Sequence, residues 1–512
     1  MKKFKYIFLL IAISIMGCSN LEEEPVGLLA PESFFTSLDK VETAVNGAYG
    51  HMLHRNFMSR EMSMSLMLAS DMVDLNPNVG NAERVQFNNL GVLADNSNIA
   101  VYWPKCYQII GAANQAIAGA KFVNADAANK NPIIAQAYFA RAFVYYHLVR
   151  QFGAIPYLDE PVTDVQAGAS ISKTSAADVY TKIIADLEFA KEWLPNTQAS
   201  RSRPAKSAAS AYLADVYLTL GDYAKAYAEA KDIIDKEGIY NLGLEPDFQD
   251  LFDSSKIDAS LEPIFVLDFI GQSNGDQGRD YQAAFTGIRN DATYGYGGGW
   301  SVEVPSLSVY STWNGKDYRK AVSLDTTATF RGVVVDYTQF TNTGIGGYGS
   351  GDNRPHIAKY TRKAGVAAEG NGRTTNSNYL MMRYSEVLLI AAEALNEITP
   401  GTAEADGYVN RVRTRARAGA DGSAARTYPA NVSGLSQTDF RTMILEERKW
   451  EFAFEFKRWY DIARRDLGAQ VFGASGLEGA KPNFVAARNY LFPLPANELV
   501  RNPNLLPQNT GY

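Results

Sequence analysis

Apolar side chains recur every three or four residues from residue 31 to about residue 236, which is the spacing of one face of an α-helix. One helix is predicted to begin at Asn131, as N-cap ahead of Pro132, and to end at Gly153. The apolar residues between these ends are Ile134, Tyr138, Tyr145, Leu148, Val149 and Phe152. We therefore predict a helical N-terminal region over residues 31–241.

Within this region, residues 210–234 carry small and aromatic side chains on both sides of Gly221. The pattern consists of Leu213, Ala214, Tyr217, Tyr223 and Ala226. It is typical of a tetratricopeptide repeat, in which small residues allow two antiparallel helices to approach closely. Because one repeat cannot bury its own face, at least three are expected. Residues 103–119 and 133–152 are predicted to supply further members.

The pattern changes at residues 242–375, where Gly, Asn, Asp and aromatic residues are frequent and apolar runs are short. Strand-like runs occur at residues 264–269 and 333–337, so we interpret the segment as a loop-rich mixed α/β insertion. Helical spacing returns over residues 376–512, before an irregular tail from about residue 481 that completes the same fold. The predicted fold class is mainly α, with tetratricopeptide-like helical repeats interrupted by the insertion.

The first 17 residues have the pattern of a signal peptide, with three lysines ahead of an apolar run at residues 6–15. This run is shorter than the roughly 20 residues that a membrane-spanning helix needs. Cys18 follows a glycine, as in a lipoprotein processing site, and we predict that Cys18 carries the lipid. The alternative is an ordinary signal with an incidental cysteine. Residues 18–30 would form an acidic tether, either a surface-export signal or a solvated linker.

The cysteine content and the net charge limit how this chain is stabilised and which molecules it can bind. Cys106 is the only other cysteine, so the mature chain cannot form an internal disulfide and depends on core burial for its stability. Without the three signal lysines, 46 basic residues face 56 acidic ones, a net charge of −10. Nucleic acid is excluded as a partner because phosphate binding needs a basic face.

Six stretches resemble, in their order along the chain, the SusD/RagB family of outer-membrane nutrient-uptake lipoproteins. They include SRPAKSAASAYLADVYLTLGDYAKA at residues 202–226 and LFPLPANELVRNPNLLPQNTGY at residues 491–512. The others lie at residues 31–50, 140–157, 379–397 with 409–416, and 444–465. They are spread along the chain, so the resemblance extends over almost its full length.

The resemblance implies a helical domain that packs against a SusC-like TonB-dependent transporter of the outer membrane, with the insertion presenting ligand-binding loops. It further implies a binding protein with no catalytic residues and no cofactor, exposed on the cell surface. In that family the ligand is an oligosaccharide or polysaccharide, or in some members a peptide. The sequence does not decide between these ligands, and the family's ligand residues follow no fixed motif that could be transferred.

Three sequence patterns could indicate enzymatic or metal chemistry. Residues 344–349 satisfy G-x-G-x-x-G, but no helix follows to hold a pyrophosphate, so a surface loop is the better interpretation. His51 and His54 form the only close histidine pair and lack further ligands, so no metal site is expected. Glutamates at 446, 447, 451 and 455 alternate with basic residues, which favours salt bridges along one helix over paired glycosidase carboxylates.

The candidate ligand-binding residues of the insertion are aromatic. They are Tyr294, Tyr296, Trp300 and Trp313, interleaved with glycines at residues 295 and 297–299. Sugars present flat C–H faces flanked by hydroxyls, so a stacked ring beside a polar group reads both features. We interpret the glycines as allowing the rings to reorient on a loop, and Trp300 as the preferred platform. The alternative is that these rings fill the insertion's own core.

On the helical side, Asp71, Asp74 and Asn76 are predicted to follow a helix that ends near Val73. Their side chains could accept hydrogen bonds from sugar hydroxyls. Helix capping or turn polarity explains them equally well.

The sequence thus favours a surface lipoprotein that captures a nutrient without changing it chemically. An enzyme acting on glycans or peptides at the cell surface is a second hypothesis, and the absence of a converging acid, base or nucleophile set opposes it. A helical-repeat scaffold that binds only proteins is a third. Titration against a panel of glycans and peptides separates the first hypothesis from the third.

Overall fold

The computed structural model describes residues 31–512 except 78, 272–275, 289–298, 331–332, 337–354, 362–374, 419–425, 475 and 477–478. Cys18 and the rest of residues 1–30 lie outside the described residues, as do Tyr294, Tyr296 and the glycine-rich stretch at 344–349. Within the described ranges, no helix is both long enough and apolar enough to cross a bilayer.

Long α-helices dominate the described chain. Those of at least 13 residues are α1 (Leu38–Met52), α2 (Ser97–Gly119), α3 (Ala127–Phe152), α4 (Ala176–Trp193), α5 (Lys206–Leu220), α6 (Tyr223–Asp235), α7 (Tyr384–Ile398), α8 (Ala403–Arg417) and α9 (Gln437–Glu451). Shorter α-helices span Pro31–Phe34, Glu61–Leu68, Ala82–Asn88, Val165–Gly168, Glu237–Tyr240, Gln282–Thr286, Leu307–Thr312, Tyr318–Ser323, Arg458–Arg464, Gly468–Phe472, Ala486–Asn489 and Ala496–Arg501.

From α1 to α8 the long helices stack in chain order, each against the one before it, and α9 packs against α7. Contacts join α1 to α2 and continue pairwise to α5 and α6, as in helical-repeat proteins. The stack then passes from α6 directly to α7, although the whole insertion separates these two helices in the sequence. The insertion therefore lies outside the stack, and α6 and α7 pack against each other as neighbours. This arrangement confirms the predicted mainly α fold of tetratricopeptide-like repeats.

Helix ends follow local signals where those signals are strong. Gly221 has a φ of +76° and ends α5, as predicted from its place in the repeat. Gly153, with a φ of +73°, ends α3. The predicted start of α3 at Asn131 is wrong, because Asp126 caps the helix by accepting a hydrogen bond from the Asn129 backbone N–H at 2.8 Å. Pro132 lies inside the helix.

The strands form four separate antiparallel pairs. They are β1 (Val73–Leu75) with β3 (Glu303–Pro305), β2 (Pro263–Leu267) with β8 (Tyr379–Arg383), β4 (Leu324–Asp325) with β7 (His356–Ile357), and β5 (Thr327–Phe330) with β6 (Val333–Asp336). The β2–β8 pair closes the base of the insertion, since its strands lie near the two ends of that segment. Small sheets of this kind match the predicted mixed character of the insertion.

A network of buried charges joins the insertion to the C-terminal helices. The insertion contributes Glu262, Asp317, Arg319 and Lys359, and the C-terminal region contributes Arg383, Arg413, Arg415, Glu447, Glu451 and Glu455. We call these residues the buried charge network. Its ion pairs fix the orientation of the insertion on the helical stack, which positions the candidate site.

Candidate ligand-binding site

The β1–β3 pair brings two predicted groups of site residues together. Asp74, in the middle of β1, lies opposite Val304, and Leu75 lies opposite Glu303. The predicted helix ending near Val73 is therefore wrong: that helix ends at Leu68, and the chain continues into a strand. The reason is a partner strand far away in the sequence, which local periodicity does not reveal.

Trp300 lies at the outer side of a cluster of three aromatic rings. Its ring centroid is 5.5 Å from that of Phe285 and 6.1 Å from that of Tyr281. Phe285 is fully buried and Tyr281 is 5% exposed, whereas Trp300 is half-buried. The two inner rings thus support the indole, and part of the indole surface reaches the outside.

The backbone around Trp300 is held by hydrogen bonds to residues 284–288. The N–H groups of Gly299, Trp300, Ser301 and Val302 donate to the carbonyls of Ile288, Ala284, Gly287 and Phe285, at distances between 2.6 and 2.9 Å. A Cβ on Gly299 would overlap the Gly287 carbonyl. The interpretation that this glycine lets the ring reorient is wrong, because its small size instead permits a close and fixed approach of two backbones.

Gly299→Ala should therefore displace Trp300 and lower the melting temperature, because its Cβ would overlap the Gly287 backbone, and it should weaken any binding that depends on the indole. Titration calorimetry measures the affinity, and thermal melting measures the stability. Gly315→Ala is the matched control, because a Cβ on that glycine meets nothing within 4 Å. An affinity for the Gly299 variant equal to that of the Gly315 variant would contradict the role assigned to this backbone contact.

Asn76 supports this platform and is not exposed to a ligand. It is fully buried, its side-chain amide donates to the Ser301 hydroxyl at 3.1 Å, and its backbone N–H donates to the Val302 carbonyl at 2.9 Å. The Ser301 hydroxyl in turn lies 2.8 Å from Nε2 of the buried His356. Asn76 therefore acts as a positioning residue beside Trp300. Asp74 is half-buried on the adjoining strand.

Asp71 and Trp313 lie at a different place. Asp71 is 6% exposed and accepts two hydrogen bonds from the Arg458 guanidinium, at 2.8 and 2.9 Å. The pair lines an open cavity of about 570 Å³ beside Lys449 and Trp450. Trp313 is 2% exposed, stacks on Trp450 with 4.8 Å between ring centroids, and donates from its indole N–H to Asp317. Both side chains are committed to structural contacts, so they are not part of the site that we propose.

Three arginines surround the rings near Trp300, and the sequence reasoning did not single them out. The Arg279 guanidinium lies 4.4 Å from the Tyr281 ring centroid and 5.9 Å from that of Trp300. Arg60 lies 5.4 Å from Tyr281, and Arg84 lies 5.3 Å from Phe285. We call these three arginines, with Tyr281, Phe285 and Trp300, the arginine–aromatic cluster.

The glutamates considered as glycosidase carboxylates form ion pairs, as expected, but only Glu446 pairs along the helix, with Lys449, whereas Glu447, Glu451 and Glu455 pair mainly with residues distant in the chain. Helix α9 ends at Glu451, and Glu455 lies beyond it in a bend where Phe454 and Phe456 have positive φ. Burial alone would raise the pKa of Glu451, but nearby guanidiniums hold this pKa below its usual value. The three guanidiniums belong to Arg415, Arg383 and Arg319. Glu447 and Glu455 likewise pair with distant arginine or lysine side chains.

The histidine pair shows no converging ligand set. Burial, followed by the charge of Lys105, lowers the pKa of both His51 and His54. Among the residues that the structure describes, no group of three or more His, Cys, Asp or Glu side chains could hold a metal ion.

Comparison with known proteins decides the family. A model described as the SusD family matches residues 261–512, and one described as starch-binding associating with outer membrane matches residues 21–218. The SusD-like protein P2 of Formosa agariphila is 53% identical over 516 aligned positions that cover all of both chains. The chain belongs to the SusD family. This confirms the resemblance drawn from its six sequence stretches.

Solved structures share the SusD fold with this chain at low sequence identity. A SusD homolog from Bacteroides thetaiotaomicron superposes with a TM-score of 0.81 at 20% identity, covering 94% of this chain and 98% of its own. A laminarin-binding SusD-like protein gives a TM-score of 0.76 at 22% identity, covering 93% and 100%. The fold of the SusD family is therefore preserved here.

Proposed function

We propose that this SusD-family protein is a glycan-binding lipoprotein of the outer membrane. A lipid on Cys18 holds it there, facing outward, and it delivers its ligand to a SusC-like TonB-dependent transporter. The signal-peptide pattern and the cysteine after Gly17 support the anchor. The family description that names outer-membrane association supports the location, and the laminarin-binding relative supports a glycan ligand.

The observation that carries glycan binding is the indole of Trp300, half-buried on two supporting rings and fixed by its backbone hydrogen bonds. A fixed flat ring stacks on the C–H face of a sugar with little further loss of conformational freedom. Asp74 is half-buried on β1, the strand that pairs with the residues following Trp300, and it supplies a polar group on this side of the insertion. Binding of this kind is non-covalent and leaves the glycan unchanged.

Trp300→Ala should weaken binding of the tightest glycan in a panel roughly five- to tenfold, since a stacking aromatic ring contributes about 1 to 1.4 kcal/mol. The melting temperature should change by no more than about 2 °C, because the indole is only half-buried. Titration calorimetry and thermal melting of the mature protein provide both values.

Trp193→Ala is the matched control, because this second half-buried tryptophan ends α4 and packs on Phe189, 6.5 Å between ring centroids. The control should keep full affinity. A Trp300 variant that melts markedly lower and binds as tightly as the wild type would show that the indole belongs to the core.

A further inference from the structure

The arginine–aromatic cluster brings three guanidiniums to one set of aromatic rings. Its described acidic neighbours begin with Glu61, which forms an ion pair with Arg60 at 2.6 Å. Glu83 and Glu303 interact electrostatically with Arg84. Burial raises the pKa of Glu303 to about 8, so this carboxyl group is neutral at pH 7 and cancels no arginine charge. Arg84 and Arg60 lie close enough for their like charges to oppose each other, in a protein whose overall charge is negative.

The positive charge of Arg84 is only weakly offset by neighbouring carboxylates. In the described part of the chain, its half-buried side chain forms no ion pair and donates no hydrogen bond. Burial, and then the neighbouring charge of Arg60, lower the pKa of Arg84. The arginines of the buried charge network differ, because Arg319 and Arg383 each pair with several carboxylates. An anion arriving beside Arg84 would offset the repulsion between Arg84 and Arg60.

We propose that the arginine–aromatic cluster selects acidic glycans, with Arg84 and its neighbouring guanidiniums binding a carboxylate or sulfate group on a sugar whose ring stacks on Trp300. This inference rests on the proposed glycan-binding function and names the class of glycan. A guanidinium presents two parallel N–H groups that match the oxygens of either anion. The adjoining indole supplies the apolar contact that a sugar ring offers and that a free anion lacks.

Because the mature chain is negatively charged overall, recognition of an acidic ligand depends on groups that contact the ligand directly. The mature chain carries a net charge of −10, so its long-range field repels polyanions and gives them no general attraction. Selection for an acidic ligand must then come from groups within contact distance. The cluster provides such groups from three separate chain segments, at Arg60, Arg84 and Arg279.

The test compares four probes of similar length by titration calorimetry on the mature protein. They are laminarihexaose as a neutral glycan, hexagalacturonate as a carboxylated glycan, a carrageenan hexasaccharide as a sulfated glycan, and hexaglutamate as an acidic peptide. At least one acidic glycan should bind tenfold or more tightly than laminarihexaose, and its affinity should fall as NaCl is added. The acidic glycan that binds more tightly identifies the anion as a carboxylate or a sulfate.

Variants connect this preference to Arg84. Arg84→Gln should reduce affinity for the acidic glycan roughly tenfold or more, which is the usual effect of losing a charge-assisted hydrogen bond, and should leave laminarihexaose binding unchanged. Arg84→Lys should recover part of the loss, since it restores charge without the paired N–H groups. Arg203→Gln is the matched control, because this arginine lies 4.5 Å from the ring centroid of Tyr49, outside the cluster.

Each contrary result has a separate meaning. Tighter binding of laminarihexaose than of either acidic glycan would overturn the charge preference and leave the proposed glycan-binding function in place. Hexaglutamate binding as tight as that of the acidic glycans, or an acidic-glycan affinity unchanged by Arg84→Gln, would also overturn it. Failure of all three glycans to bind would contradict the proposed function together with this inference.

Discussion

Replacement of Arg383 by methionine is expected to lower the free energy of unfolding by about 3 to 5 kcal/mol, the usual cost of removing one partner from a buried ion pair. Arg383 is fully buried and donates to Glu262 at 2.6 Å and to Glu455 at 2.9 Å, and it also pairs with Glu451. Methionine fills much of the same space, so the loss comes from three carboxylates that remain without this shared cation.

Urea denaturation followed by tryptophan fluorescence measures this change. Arg501→Met is the matched control, because it makes the same substitution on a side chain that is 67% exposed. Among the described residues, Arg501 pairs only with Glu498, three residues earlier. It should shift the free energy of unfolding by less than about 0.5 kcal/mol. Equal urea midpoints for the two variants would mean that the buried charge network contributes nothing to stability. Because the network joins two regions, hydrogen exchange in Arg383→Met should increase at residues 317–325 before it increases in the helical stack.

The parts of the fold that could be predicted are those set by neighbours in the sequence. Gly221 ends α5 because a left-handed residue there closes the helix, and the apolar spacing on either side is visible within one repeat. Strand β1 could not be predicted in this way, because three residues become a strand only when β3 pairs with them. The same long-range pairing decides that Asn76 is buried, which capping or turn patterns do not indicate.

The buried charge network is a second feature that the local sequence pattern does not predict. Alternating charges near Glu447 and Glu451 predict surface salt bridges one turn apart, whereas the actual partners, Arg319, Arg383 and Arg415, lie far away in the chain. Charge alternation alone does not tell a solvated helix face from a buried one, because both need compensating groups. The burial of Phe440, Ile444 and Leu445 on the same helix indicates that α9 is surrounded by other elements.

The candidate site was predicted in part. Trp300 as a platform stays a prediction from its place after three glycines, and the structure shows that the last of these glycines permits close packing. The arginines were missed because Arg60, Arg84 and Arg279 are distant in the sequence and meet only through the β1–β3 pair and its neighbouring helices. A weak signal existed at Arg279-Asp280-Tyr281, where a cation and an aromatic residue stand close together in a loop-rich segment.

Two fully buried glutamates should respond to pH in opposite directions, which provides the last test. Burial raises the pKa of Glu303 to about 8, against the smaller opposing effect of the Arg84 charge. Between about pH 5 and pH 8 the unfolded chain therefore releases a proton that the native state retains. Wild-type stability falls with rising pH over this window, by up to about 1.4 kcal/mol per pH unit from this group.

Glu303→Gln should remove that slope, so the variant gains stability relative to the wild type as the pH rises from 5 to 8 and equals it near pH 4. Glu451→Gln should do the reverse. The pKa of Glu451 lies below its usual value, so its contribution is fully present at neutral pH and declines only as the pH falls below about 4.5. At pH 7 the Glu451 variant should be less stable than the wild type by about 3 to 5 kcal/mol.

Urea midpoints measured from pH 4 to pH 8.5 test both signs in one series, with Glu446→Gln as a control whose side chain is 50% exposed. Destabilisation by Glu303→Gln at pH 8 would mean that this carboxyl group is ionised and paired in the native protein. In that case Glu303 would cancel part of the arginine charge next to Trp300, and the preference for acidic glycans should weaken with it. A stabilising effect that increases with pH would instead mean that Glu303 does not offset the charges of Arg60 and Arg84.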